Sequence, residues 1–509
     1  MTDEGAFDIV ILGTGLVESI TAAALSKAGF KVAHIDDNAY YGADEASLSL
    51  EEFIEWIHED HESFSAFSGT YTKLPHARQY SISLLPFVIP SVGALISALI
   101  ASGVSRYGGF QLVERVGIYD ASSGAVKGVP GSKEDVFKSK DITLVDKRRL
   151  MRFLMFASGE FEGKPELEGR EEMAFGEFLK TAFMLNDETI AAIVYALAFC
   201  FTVHDSTLRT LQRLRHYLRS TGRYGSSPFL VGHYGSSGEI AQGFCRTAAV
   251  AGGVYILGRA TFSITHSDSR YTITLEDFPE PLTCRVLISA ATHLPSNLAL
   301  HQRYVAVSSP VPTFGHGMAR CVAIIDQPLS FGTKARSTDE VTDAQTLEPL
   351  LDTGILVFPP NSLTASSTSA TALVVGEGTL STPKDRWILY LSMPVLPSEM
   401  HSSSPEIILT PYLTAALKTS RSPTPPVPLF TTFYLQNPLS TRRSESESDS
   451  GTCLVSPQLP IVPLPDSPDL AVEYAEAVFR KANKALLPDE ECAQFWPPLE
   501  EAGAEEEFF

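Results

Sequence analysis

The residues whose types and spacing most clearly imply chemistry are Gly13, Gly15 and Glu18, in Gly13-Thr14-Gly15-Leu16-Val17-Glu18, with Asp36 about 20 positions later. Two glycines between an apolar run and a helix, followed by an acidic residue at that distance, form the layout that cradles a dinucleotide. The glycines let the backbone approach the pyrophosphate, the helix N-terminus receives its charge, and the acid meets the ribose. Glu18 stands where the third glycine belongs. It adds bulk at the helix–strand contact and a carboxylate where two phosphate charges would sit. The stretch therefore specifies a fold while arguing against that fold's usual ligand. Glu239 and Arg246 are a second pair, seven residues apart, so two helical turns bring both to one face. Glu239 equally suits the start of a helix, where a negative charge meets the macrodipole, and that alone would account for it. The histidines show no HExxH spacing, and the six cysteines, Cys200, Cys245, Cys284, Cys321, Cys453 and Cys492, form no CxxC. No metal site follows from that pattern, and scattered cysteines fit a reducing compartment. No catalytic residue is assigned.

Positioning these groups requires a strand from Phe7 to Leu12, a glycine turn, a helix through Thr21-Ala22-Ala23-Ala24-Leu25 and a second strand ending at Asp36. His34, at the end of that strand, is read as structural. At 509 residues the chain exceeds one ordinary core, so two or more domains are expected, including the case of one inserted in another. A net charge of −21 disfavours nucleic acid and anionic membrane surfaces. It suits a basic protein partner and equally an ordinary acidic enzyme. Met1-Thr2-Asp3-Glu4-Gly5 is acidic and runs directly into the first strand, so no signal peptide is expected and the chain is placed in the cytoplasm.

Tyr40-Tyr41-Gly42 forms a turn carrying two aromatics, and Leu48 to Ile57 reads as an amphipathic helix with Phe53, Trp56 and Ile57 on one side. Between Arg78 and Arg106 no charge occurs, and Ile82 to Ile100 is long enough to test as a membrane span. Pro86, Pro90 and Gly93 interrupt it and no basic cluster flanks it, so the pattern favours a buried helix from about Ser91 to Ser102. The other use of that segment is an apolar docking face through Leu95, Leu99 and Val104. Residues 141–220 are helical throughout and read as an inserted all-helical domain II, built around an ordinary core or lining a greasy cavity. Residues 1–140 and 221–400 then form a discontinuous α/β domain I with a β-sheet subdomain. Residues 401–467 are rich in Pro, Ser and Thr, contain Arg442-Arg443-Ser444-Glu445-Ser446-Glu447-Ser448, and read as a mobile insert. Residues 468–509 read as a final helix and an acidic tail.

Taken together, several blocks carry a family resemblance. Gly13 to Ser19, His34-Ile35-Asp36 and Tyr40-Tyr41-Gly42 resemble the first sequence region of the family of Rab GDP-dissociation inhibitors and Rab escort proteins. Val104-Ser105-Arg106-Tyr107 and Asp146-Lys147-Arg148-Arg149 resemble the second, and Gly238-Glu239 through Arg246 to Gly252-Gly253 the third. Glu18 in place of glycine is itself part of that family's pattern. Ser132 to Lys140, Met318 to Ile325, the long inserts and Leu487 to Cys492 look escort-like rather than like the recycling inhibitors.

The resemblance implies a flavoprotein-like, FAD/NAD(P)-binding Rossmann-type domain I without bound cofactor, and an inserted all-helical domain II. It implies a Rab-binding platform at Tyr41, Glu239, Arg246 and Ile256, and a groove for the Rab C-terminus at Leu95, Leu99 and Val104. Phe175 falls where an aromatic anchor for Rab geranylgeranyltransferase is expected. The implied partners are GDP-bound Rab GTPases, the transferase α/β heterodimer and the geranylgeranyl lipid, with only transient membrane contact. Burying one such lipid removes several hundred Å² of apolar surface from water, on the order of 10 kcal/mol gross, so a carrier is physically necessary. The implied role is escort, with recycling inhibition as the near alternative and an FAD-dependent oxidoreductase as the remote one. In that role the chain is a non-catalytic accessory component.

Overall fold

The computed structural model describes residues 5–129, 143–290, 293–294, 298, 302–307, 317–331, 351–396, 403–420, 422–437 and 451–497. The connector at Ser132 to Lys140, the serine run at 442–450 and the acidic tail lie outside the described residues.

The opening apolar run Ile9–Leu12 is fully buried because it is an interior strand of a six-stranded parallel sheet. Its neighbours are Val32–Asp36, itself paired to the edge strand Val254–Leu257, and Val286–Ser289, which leads on to Cys453–Val455 and Gln302–Tyr304. A central parallel strand is covered on both faces, which explains the continuous rather than alternating hydrophobicity. One face carries the helices Leu16–Lys27, Ser237–Val250 and Ser467–Leu486, whose Ile20, Leu25, Phe244 and Val478 share one core. The other face packs on the antiparallel strands Thr261–Ser267, Arg270–Leu275 and Leu282–Cys284.

A second sheet has eight strands, in the order Phe64–Thr70, Phe430–Gln436, Met318–Ile325, Trp387–Pro394, Ala370–Val375, Thr353–Phe358, Arg115–Asp120 and Ala125–Gly128. The helices Leu144–Ser158, Phe175–Phe183 and Thr207–Ser220 pack toward one face of it. They share a single hydrophobic core with Val322, Ile324, Ile355 and Ile388. The helix starting at Asp187 widens into π geometry over Ala192–Leu197.

The mobile insert expected over 401–467 is corrected for most of its length. Pro405–Leu417 is a helix capped by Ser404, and Phe430–Gln436 is an interior strand of the eight-stranded sheet. Composition misled here because Pro405 sits at the helix start, where a missing N–H leaves nothing unpaired, and most of the other prolines lie in connections, although Pro411 is tolerated inside the helix. The uncharged stretch forms the strand Ile89–Pro90 and the helix Ala94–Ser102, buried against the C-terminal helix. Asp469 accepts the Leu95 N–H at 2.7 Å and so caps that helix from across the fold. No helix among the described residues is long and apolar enough to cross a membrane.

Candidate functional site

The glycine turn delivers the chain to a helix N-terminus whose free N–H groups already face carboxylates. Leu16 N–H donates to Glu45 Oε2 at 3.2 Å. A Cβ on Gly15 would lie 2.7 Å from Glu18 Oε2 and 3.2 Å from Glu45 Oε2, so both acids crowd the turn where a phosphate would approach. Ser456 donates to Glu18 Oε1 from the far end of the chain. Burial pushes the Glu45 carboxyl up to about 8, with Asp44 and Glu18 adding repulsion, and burial raises Glu18 as well. Asp36 is equally committed: it accepts Thr14 N–H at 2.7 Å, Thr14 Oγ1–H at 2.5 Å, and the backbone and side-chain N–H of Asn38 at 2.9 Å each. It therefore braces the turn and has little capacity left for a ribose. The surrounding cleft, about 330 Å³, is lined by Glu18, Asp37, Asp44, Glu45, Asp60 and Glu62, with no lysine or arginine among the described residues that line it. The residues present do not fit a dinucleotide pyrophosphate.

Below the turn, His34 is buried, with Nε2 2.6 Å from the Gly13 carbonyl oxygen and Nδ1 3.2 Å from the Tyr255 hydroxyl. The neutral ring that donates to Gly13 satisfies both contacts, and burial holds its pKa down at about 4. Tyr255 in turn meets Tyr41 edge-on, with ring centroids 5.8 Å apart. This stack connects the dead nucleotide turn to the outer face of the helix Ser237–Val250.

On that face Glu239, Gln242, Arg246 and Val250 follow at helical spacing, with Glu239 half-buried and the other three exposed. Tyr41 lies beside the same helix, near Cys245. The Arg246 guanidinium stacks over the Tyr107 ring at 4.7 Å, and the Tyr107 hydroxyl reaches Thr247 Oγ1 at 2.8 Å. The face thus joins an acid, a stacked guanidinium, two tyrosines and the bare Val250, which is 83% exposed. Such a mix of aromatic, arginine and apolar groups is what buried interface centres use. Tyr107 and Tyr255 were not singled out from sequence. The signal for Tyr107 was its place in the block Val104-Ser105-Arg106-Tyr107; Tyr255 had none beyond its strand.

Three expected placements are corrected. Ile256 does not join this face: strand alternation turns Tyr255 toward Tyr41 and sends Ile256 to the other side of the sheet, against the cluster of Ile35, Ile264 and Ile273. Leu95, Leu99 and Val104 form no open groove, being 0%, 1% and 2% exposed. The C-terminal helix covers the two leucines, and Val104 is pressed against Gly243, where a Cβ would come within 2.7 Å of its Cγ1. Phe175 is fully buried between Phe153 and Phe178, so an anchor role would require the start of its helix to open.

Fold and site together define a flavoprotein-type α/β scaffold whose nucleotide seat is filled by its own carboxylates. A family model described as GDP dissociation inhibitor matches residues 1–353, and the chain belongs to that family. It is similar to the Saccharomyces cerevisiae "Rab proteins geranylgeranyltransferase component A", 28% identical over 76% of this chain and 61% of that protein. The Drosophila melanogaster protein of the same name is 33% identical over 57% of this chain and 60% of its own length. The chain thus spans about three fifths of the length of these curated relatives. Among solved structures, Rab GDI from Plasmodium falciparum superposes with a TM-score of 0.64 at 21% identity, covering 95% of this chain and 98% of that one. An oxidoreductase from Methanosarcina mazei superposes at 0.55 with 14% identity, over 92% and 99% of the two chains. Both share the fold.

Proposed function

We propose that this chain is an escort-type member of the family. It binds newly made, GDP-bound Rab GTPases, presents their C-terminal cysteines to the Rab geranylgeranyltransferase α/β heterodimer, and shields the attached lipids until delivery to a membrane. The observation that carries this reading is the likeness to relatives named as component A of that transferase, which extends over 76% of this chain in the yeast protein. The role is accessory: the alkylation belongs to the transferase, and this chain contributes binding surfaces. Tyr41, Glu239 and Arg246, joined by Tyr107, form the centre of the Rab contact. An exposed guanidinium stacked on a tyrosine is held in place before binding, so little side-chain freedom remains to be lost on association. The helical unit over 141–220 receives the lipid and the transferase, while residues 1–140 and 221–400 carry the Rab platform. The protein works in the cytoplasm, with transient membrane contact.

The test is in-vitro prenylation of unmodified Rab by purified transferase, with and without this chain. Escort activity appears as lipid transfer that depends on the chain and falls in a Glu239→Ala, Arg246→Ala double variant. Extraction of already prenylated Rab without support of transfer would instead identify a recycling inhibitor.

A further inference from the structure

An interior strand of the eight-stranded sheet holds a charged residue where its pattern calls for an apolar one. Along Met318–Ile325, the residues Val322 and Ile324 face the shared helical core, and Arg320 occupies the same side two positions earlier. Its directly paired neighbour is Ser392, which in turn pairs with Thr371, so three adjacent strands place a polar row at one register. Gln436 completes it: Arg320 donates from Nε and Nη2 to Gln436 Oε1 at 2.9 and 2.6 Å, and from Nη1 to Ser392 Oγ at 3.1 Å. All these acceptors are neutral. A guanidinium has five N–H donors, and one on each Nη remains without an acceptor among the described residues. No carboxylate lies within ion-pair distance of Arg320 among the described residues.

A recessed cation satisfied only by neutral groups is unfavourable by itself, since burial of a charge without a counter-charge costs several kcal/mol. Arg320 lines a cavity of about 60 Å³, whose walls also include Phe87, Phe201, Met318 and Ile461. That is the room of about two waters at ~30 Å³ each, an ion's size and far below a flavin's. The cavity opens toward the acidic cleft, and Glu45, Leu85, Gln436 and Leu459 line both. Glu45 lines the cavity itself, and the remaining carboxylates, which line only the cleft, repel a polyanion long enough to reach them, so the occupant must be short.

We propose that Arg320, Gln436 and Ser392 form a binding site for one small oxyanion, a carboxylate or a phosphate. The two donors left on Arg320 supply the paired contacts that guanidinium makes to such groups. The site is independent of the Rab-facing surface.

The test uses the full chain in chloride buffer, with sodium phosphate or sodium acetate added at matched ionic strength. Thermal unfolding and isothermal titration are followed in each. The expected result is a saturable rise in melting temperature with at least one of the two anions and one binding site by titration. The anion that acts separates phosphate from carboxylate as the natural ligand class. Arg320→Gln should abolish both signals. Arg320→Lys keeps the charge but loses the planar fork, so binding should weaken about tenfold and persist. If Arg320→Gln does not fold, the lysine variant decides, because unchanged affinity there places the anion elsewhere. Absence of any anion-specific shift in the unmodified protein, or an equal shift in Arg320→Gln, overturns the proposal.

Discussion

Glu45→Gln should make the protein more stable, by an amount that grows as pH rises from about 5 toward 9. The Glu45 carboxyl is held at about 8 in the folded state against an ordinary value of 4.5, first by burial and then by Asp44 and Glu18. A raised carboxyl favours folding fully below the unfolded pKa, and that contribution is lost as pH climbs through the folded pKa. The full difference sets a ceiling of about 5 kcal/mol, at 1.36 kcal/mol per unit. The variant recovers only part of it. Glu18, also raised by burial and itself one of the groups that repel Glu45, ionises more readily once Glu45 is neutral. A gain of about 1–3 kcal/mol at pH 9 is therefore expected, shrinking to within about 0.5 kcal/mol at pH 5. Glutamine keeps an oxygen for the Leu16 N–H, so the helix cap survives. Glu45→Ala lacks that acceptor and should be about 1 kcal/mol less stable than Glu45→Gln at every pH. Urea unfolding at pH 5, 7 and 9, read by tryptophan fluorescence and circular dichroism together, measures the difference. Parallel pH profiles for the unmodified protein and Glu45→Gln would refute the reasoning, because they would mean that Glu45 ionises alike in both states.

Further outcomes follow from the same geometry. His34, held at about 4 by burial, contributes stability that is present above its unfolded pKa near 6.5 and is lost as pH falls through 4. The loss is at most about 3 kcal/mol, and His34→Gln should flatten that part of the acid-unfolding profile. Arg246→Ala should weaken binding of GDP-loaded Rab by about 1–2 kcal/mol, or about 5–30-fold by titration, with little change in stability. Tyr107→Leu should reproduce part of that loss by freeing the guanidinium from the 4.7 Å stack. Leu99→Ala should lower stability by about 2–5 kcal/mol, since Leu99 is core; an unchanged unfolding midpoint would restore the open groove.

How far the sequence could be read differs from element to element. The glycine turn, the flanking strands and the helix after Gly15 were legible because each is a local pattern: a buried run, a turn residue and a helix period. The helix at 94–102 was legible for the same reason, but its surroundings were not. An all-apolar helix is compatible with a groove or a core, and only the C-terminal helix, more than 360 residues later, decides for core. The stretch from 405 to 436 was misread because its strand takes its partners from residues 318–325 and 64–70, which no local window contains. Tyr107 went unnoticed as a contact residue because its meaning comes from Arg246 resting on it.

The sequence alone determined that the chain begins as a dinucleotide-type unit, that Glu18 spoils its third glycine position, and that Glu239 and Arg246 share a helix face. These are matters of residue type and short spacing, set by steric and helical geometry. Only the tertiary structure decided that Glu45 joins Glu18 at the helix N-terminus, that Asp36 is spent on Thr14 and Asn38, and that Ile256 points away from Tyr41. Those outcomes depend on which distant segments meet and on which face of a strand each side chain takes. Spacing along the chain does not encode either, because packing and hydrogen bonding are settled between elements.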